Sequence, residues 1–291
     1  MQLEEYKPLK ENKSHFTTDF LYNTYLCSIP LDFSEVPLHW HNEMELIYIK
    51  KGCGIVSVDL ERFIVHGGDL VVVMPGHIHS ISQNSNDRFE YENIIFNLDM
   101  LISRQCDRAT LEFFTGISSF RGYCYPVITS SDKHYDELIS YIDEADKICQ
   151  SFPCGYEMKI RGCLFNFFFE LVSYFYSAKE NTVILSDEKM GKLKSILNYV
   201  ENNYQNSISI GDISSHCHFS QSHFMKFFKS CTGVSFIEYL NDYRLLVAAR
   251  MLKSTTLAII DIASDCGFDN ISYFNRKFKA KYGMTPREYR K

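Results

Sequence analysis

The chain has 291 residues, 45% of them hydrophobic and 23% charged, with ten cysteines and a formal net charge of −6. That length suggests two domains with ample core, and the composition excludes a disordered or low-complexity chain. No CxxC pair occurs, so neither a zinc ribbon nor a thioredoxin-like motif is suggested.

The most apolar stretch, CLFNFFFELVSYFY, is interrupted by Asn166 and Glu170 and is too short to span a bilayer. The start, MQLEEYKPLKENK, lacks the apolar core of a signal peptide. A cytoplasmic protein with reduced thiols and no membrane partner is therefore expected. Charge is divided unevenly. From Glu188 to Lys291 there are 15 Lys and Arg against 9 Asp and Glu, which is +6; before that, 15 against 27 give −12. A basic block joined to an acidic one suggests that the C-terminal part meets a polyanion.

From about Asp19 to Ile128 the pattern is β-like. Short apolar runs (LIYI, GIVSV, LVVVM, NIIFNL) alternate with the turn clusters KKGCG, HGGD, MPGH and SQNSND. A sandwich or small barrel follows. Within it lies HWHNEMELIYIKKG, His39 to Gly52. In an extended strand His39, His41, Glu43, Glu45, Ile47 and Ile49 share one face. A second cluster, GDLVVVMPGHIH, runs from Gly68 to His79. Imidazoles converging with a carboxylate suit a metal, a polar pocket for a small molecule, or a structural role; the residues alone leave these open. His66 and His77, beside glycines in turns, read as solvent-exposed. Trp40, of opposite parity to the two histidines, reads as packing the outer face under a helix.

From about Lys133 the period becomes helical. Tyr135, Leu138, Ile139, Ile142, Ala145 and Ile148 form one apolar stripe, and Cys163, Leu164, Phe167, Phe168, Leu171, Val172 and Phe175 form another. Ser177 to Lys189 reads as a linker, and the remainder as helix. That remainder contains a repeat. Asp212, Ile213, Cys217 and Phe219 recur 49 residues later as Asp261, Ile262, Cys266 and Phe268. Phe224, Phe228, Lys229, Gly233, Glu238 and Tyr239 recur 50 residues later as Phe274, Phe278, Lys279, Gly283, Glu288 and Tyr289. Each copy reads as helix, tight turn (CHFS or CGFD) and a second helix capped by Ser220, or by Asp269 or Asn270. Phe224, Phe227 and Phe228, and in the second copy Phe274 and Phe278, anchor the core side. Ser222, Met225, Lys226 and Lys229, then Ser272, Asn275, Arg276 and Lys279, are left outward. Arg and Asn there suit bidentate contacts to guanine and adenine.

GFDNISYFNRKFKAKYGMTPREYR, Gly267 to Arg290, resembles the signature of the AraC/XylS family of transcription regulators, and ISIGDISSHCHFSQSHFMKFFKSCTGVSFIEYL is similar to that family's first helix-turn-helix. The resemblance covers about Lys192 to Lys291. It implies two helix-turn-helix units joined by a long helix, about Ser235 to Lys253, and base contacts from Ser222, Met225, Lys226, Ser272, Asn275 and Arg276. The N-terminal half resembles the cupin-type sensor of such regulators. His39-Trp40-His41, Glu45 and Gly52 fit the first cupin motif, HxH-x3-E-x6-G. Gly68 to His79 is similar to the second, but the last histidine falls four residues after the proline instead of five, which puts the fourth ligand position in question.

The expected architecture is α+β with two domains: a cupin-like β-barrel (jelly roll) followed by helices, then an all-α double helix-turn-helix. Residues 1–130 would form the sensing domain, 131–180 a helical dimerisation or connector region, and 186–291 the DNA-binding domain, with units at about 210–231 and 258–281. The expected function is sequence-specific regulation of transcription in response to a small-molecule effector, a sugar by family habit. His39, His41, Glu45 and His79 would line the effector pocket. No catalytic residue and no cofactor is expected; if a metal is held, those four would hold it. Double-stranded DNA, the effector, a second copy of the chain and RNA polymerase are the expected partners. The rival reading is a cupin metalloenzyme with a helical appendage.

Overall fold

The structure, a computed structural model, describes residues 20–85, 87–102, 108–118, 123–124, 126–177 and 187–291. It falls into two compact units. Residues 20–32 and 40–177 form the first; the short segment Phe33–His39 groups with 187–291 in the second.

In chain order the sheet-rich part contains β1 (Tyr22–Ile29), β2 (Glu35–His39), β3 (Met44–Val58), β4 (Glu61–His66), β5 (Leu70–Val73), β6 (His79–Gln83) and β7 (Phe89–Phe96). Then come α1 (Arg108–Ser118), β8 (Tyr123–Cys124), β9 (Val127–Ile128), α2 (Tyr135–Cys149), α3 (Tyr156–Tyr174) and β10 (Tyr176–Ser177). The main sheet is ordered β1-β7-β3-β5-β9, and the far end of β3 pairs with β4 and β6. All these pairings are antiparallel. The expected jelly-roll-like architecture is present, although among the described residues the strands close no hydrogen-bonded ring.

The cluster KKGCG is not the turn that its composition suggests. β3 runs through it as one strand of 15 residues. The register against β7 shifts between Ile49 and Lys51, a bulge that lets the strand bend. Gly52 sits just past it at φ +83, where a Cβ would lie 2.1 Å from the Arg88 carbonyl oxygen, so glycine is required by both strain and space. A second difference is α1, which lies inside the stretch read as β; its Phe114 is fully buried in the core.

The pleat of β3 divides the domain. Met44 and Leu46 face a core shared with Leu70, Val72, Ile94 and Phe96. The same core takes Leu138, Ile139 and Ile142 of α2 and Ile160, Leu164, Phe167 and Phe168 of α3, so the helical stripes bury where their spacing places them. Each such side chain contributes about 1.5–3 kcal/mol on burial. Glu45, Ile47 and Ile49, of opposite parity, are also buried, on the other face of the sheet.

The second unit is helical: α4 (Asp187–Asn203), α5 (Ile210–His216), α6 (Gln221–Thr232), α7 (Phe236–Ser254), α8 (Ile259–Asp265), α9 (Ile271–Tyr282) and α10 (Pro286–Arg290). The repeat is physical. α5 and α8 start 49 residues apart, α6 and α9 50, and α7 and α10 50. Ser220 and Asn270 cap α6 and α9 as the sequence suggests. α7 and α10 both open with reciprocal capping boxes, Ser235–Glu238 and Thr285–Glu288. The turn inside each unit needs one left-handed residue: Gly267 in the second copy (φ +80) and His218 in the first (φ 57).

Candidate functional site

Two constellations stand out, one on the helices of the second unit and one at the start of β3 in the first. In the helical unit, Phe224, Phe227 and Phe228 of α6 and Phe274 and Phe278 of α9 are buried, as the sequence places them. Ser222, Met225, Lys226 and Lys229, and Ser272, Asn275, Arg276 and Lys279, are all exposed. Each second helix therefore presents a polar and cationic face beside a Phe-anchored one. Both carry a cation at the equivalent position, Lys226 and Arg276. The Arg276 guanidinium lies 5.4 Å from the Tyr273 ring centre, a cation–π contact that steadies it on the helix surface. Such a face suits the edge of a nucleic-acid groove.

The second constellation sits against the inner face of β3. Within the first unit the structure brings His41, Glu45 and His79 together, and His39 stands at the end of β2, in the segment that groups with the second unit. They do not arrive on one strand as a simple alternation predicts. β2 ends at His39 and β3 begins at Met44, so residues 40–43 form a connection that carries His41 inward. The altered spacing of the second motif is absorbed by the turn before β6, and His79 is fully buried at the start of that strand.

Glu45 is 2% exposed, and its Oε2 lies 2.7 Å from His41 Nε2 and 2.9 Å from His79 Nε2. The two rings meet edge to face, with centres 5.0 Å apart. Burial would push the Glu45 carboxyl up; the His79 and His41 charges and hydrogen bonds outweigh it and hold the group well below its usual range.

The opposite ring nitrogens are anchored on the backbone. Nδ1 of His39 lies 2.9 Å from the Pro37 carbonyl oxygen, Nδ1 of His41 3.2 Å from that of Glu43, and Nδ1 of His79 3.0 Å from that of His77. A carbonyl only accepts, so each Nδ1 donates, and the tautomer is set by the chain itself. These backbone partners escaped the sequence reading. Their signal is a histidine two residues from its own acceptor where the chain enters or leaves a strand. The Glu43 carboxylate adds a contact at 3.5 Å to His41 Nδ1.

His77 differs from expectation. It is only 24% exposed and its Nδ1 is paired with the Asp59 carboxylate across the turn after β3. Its backbone and side chain both brace the loop that delivers His79. His66, at 66% exposed, is as open as expected. Trp40 is half-buried.

Comparison with known proteins gives a family match for each part of the chain. Residues 213–291 match the family described as "Helix-turn-helix domain", and residues 32–113 match the "AraC-like ligand binding domain". The HTH-type transcriptional regulator YdeC of Bacillus subtilis is 22% identical over 285 residues, 97% of this chain and 96% of that one. The HTH-type transcriptional activator AarP of Providencia stuartii is 35% identical over 98 residues, 34% of this chain and 73% of that one. Among solved structures, an apo ToxT variant from Vibrio cholerae aligns over 94% of this chain and 97% of its own, with TM-score 0.50 and 16% identity, a likeness of fold. The described residues include no helix long and apolar enough to cross a membrane. The chain belongs to the AraC family of transcription regulators: a DNA-binding protein with a ligand-binding domain for a small-molecule effector.

Proposed function

We propose that the chain reads its operator with the exposed faces of α6 and α9, and that its effector site is the inner face of β3 at His39, His41, Glu45 and His79. The observation that carries the reading is the doubled unit. Two helices of the same length and anchoring present Ser222, Met225 and Lys226, and Ser272, Asn275 and Arg276, at equivalent exposed positions. The second helix is the stronger reader. Arg276 and Asn275 can pair bidentately with guanine and adenine, whereas Ser222 and Met225 cannot. Lys226, Lys229 and Lys279 serve phosphates and fix register.

The protein acts as a homodimer in the cytoplasm, where its DNA target lies. RNA polymerase is a partner at the promoter, a reading supported by the relative named as a transcriptional activator. The test is the full-length chain on a panel of single-base operator variants. Arg276→Ala should cost about 1–3 kcal/mol and relax preference at one base pair. Lys226→Ala should weaken binding evenly across the panel. Unchanged affinity and preference in Arg276→Ala would remove α9 as the reading helix.

A further inference from the structure

We infer that Tyr273 is a positioning residue for base reading: its ring holds the Arg276 guanidinium in place, and so sets how sharply α9 discriminates at one base pair. The inference rests on the reading of α9 as a recognition helix. It adds to that reading a residue that acts through Arg276.

Arg276 is exposed and its side chain is long. The fork that pairs with guanine O6 and N7 needs one arrangement of that chain. A mobile arginine escapes a wrong base by turning to a phosphate or to water, which softens discrimination. An arginine held over the base leaves its donors unpaired there, and an unpaired donor is costly. Tyr273 stands three residues before Arg276, the spacing at which side chains meet on a helix. The guanidinium carbon lies 5.4 Å from the ring centre. A ring holds a guanidinium without consuming the paired N–H donors that a carboxylate would take.

The ring is itself held from three sides. The Tyr273 backbone N–H donates to Oδ1 of Asn270, the residue that caps α9, at 2.9 Å. The ring packs beside Phe268 of the preceding turn, with centres 6.3 Å apart. Its hydroxyl oxygen accepts from Asn241 Nδ2 of α7 at 3.3 Å. The platform is therefore tied to the turn and to the long helix as well as to α9. Tyr273 is half-buried while Arg276 is exposed, so the fixed ring lies under the mobile cation. The first copy differs in residue type. His223 stands where Tyr273 does, its ring on Phe219 with centres 4.3 Å apart, and Lys226 stands where Arg276 does. An ammonium is a point charge without a planar fork. Phenol and fork occur together in the second copy.

The test uses the full-length chain, a duplex that wild type selects from a randomised pool, and every single-base variant of that duplex. Tyr273→Leu removes the ring face and keeps an apolar side chain. At the base pair that Arg276→Ala relaxes, it should lower the preference about two- to fivefold, the change that a surface cation–π contact supplies. Preferences elsewhere and the slope of affinity against salt should stay at wild-type values, because no phosphate contact is lost. Tyr273→Phe keeps the ring and should keep the wild-type preference. In the Arg276→Ala background Tyr273→Leu should change nothing at that base pair. In NMR spectra of the DNA-free chain the ring should shift the Arg276 Hδ protons upfield of those of the exposed Arg287, and Tyr273→Leu should remove the difference. A wild type without that shift overturns the inference whether or not the variants fold. So does a Tyr273→Leu chain that keeps full preference, or that weakens equally on every duplex, as a purely structural role would. Arg276→Ala relaxing the preference while Tyr273→Leu does not refutes this inference alone. Arg276→Ala without effect refutes the reading by α9, and this inference with it.

Discussion

Arg244 shows how a single residue can hold the reading unit together. It lies on α7, 9% exposed, in the run YRLLVAARML. Its Nε donates to the Tyr204 carbonyl at 2.8 Å and its Nη2 to the Asn206 carbonyl at 2.7 Å. Both acceptors belong to the segment after α4. The guanidinium also lies against Gly267, whose added Cβ would come within 2.9 Å of Arg244 Nε and 2.5 Å of the Tyr204 oxygen. One side chain thus ties the end of α4 to the turn of the second helix-turn-helix. Hydrogen bonds from a charged donor are worth about 1.5–3 kcal/mol each, so Arg244→Ala should destabilise by on the order of 3 kcal/mol, read from the midpoint of urea unfolding. Arg244→Lys should recover only part, because an ammonium lacks the fork that spans two carbonyls. Full recovery by lysine would reduce the role to simple charge. The sequence carried a hint of this residue: Leu240, Arg244 and Ala248 share a helical face, and a charge on an apolar stripe must find partners. It could not say which, since carbonyls 38 and 40 residues away leave no mark on composition. The histidines were legible as a set for the opposite reason, because their residue types and spacing survive without knowledge of the turns that aim them.

At the scale of elements, the packing of α2 on the sheet contains an acid pair. Glu92 of β7 is buried and accepts from Thr24 Oγ1 of β1 at 2.6 Å, and Lys50 Nζ of β3 stands 2.7 Å from it. Asp146 of α2 shares the site, with Asp143 of its own helix nearby. Burial, then the hydrogen bond and charge of Glu92, push the Asp146 carboxyl up from 3.8 to about 6, opposed by Lys50. Glu92 is the ionised member: burial would raise it, but the bonds from Asp146, Lys50 and Thr24 prevail and lower it. Between about pH 4 and 6 the folded protein therefore keeps a proton on Asp146 that the unfolded chain has released, so this group's contribution to stability falls as pH rises through that window. Asp146→Asn keeps the bond to Glu92 without the second charge. The variant should match wild type near pH 4 and exceed it in Tm at about pH 7.5, with a flatter profile between. A variant less stable than wild type at the higher pH would show that Asp146 serves Lys50 as a charged partner instead. The helices themselves were readable from their stripes because one face of each is buried against one sheet. β3 was not, because a glycine-rich bulge inside a strand has the composition of a turn and differs only in what lies across from it.

For the whole molecule, the reading strength of one chain bears on its assembly. Of the six positions on α6 and α9 proposed to face bases, Ser222 and Met225 are poor readers, so on that reading a single chain commands few strong base contacts. Binding two half-sites in a linked assembly would raise apparent affinity by about 10²–10⁴ without any new contact. The outer side of α3 carries exposed apolar side chains, and the proposed homodimer is expected to use it. Met158, Phe165 and Phe169 are 76%, 42% and 64% exposed, at spacings of seven and four residues along one stripe. Gly162 lies between Met158 and Phe165, and a Cβ there would meet no side chain and no other element within 4 Å, which leaves room for another helix to approach closely. The buried stripe of the same helix is already used against the sheet, so its two sides have separate tasks. Met158→Glu combined with Phe169→Glu should leave Tm close to wild type, since both side chains are solvent-exposed within one chain. Sedimentation equilibrium at micromolar concentration should then find a dimer in wild type and a monomer in the double variant, with operator affinity lowered at least about 100-fold. A wild type that sediments as a monomer on and off DNA, or a double variant that still dimerises, would move the assembly surface away from α3.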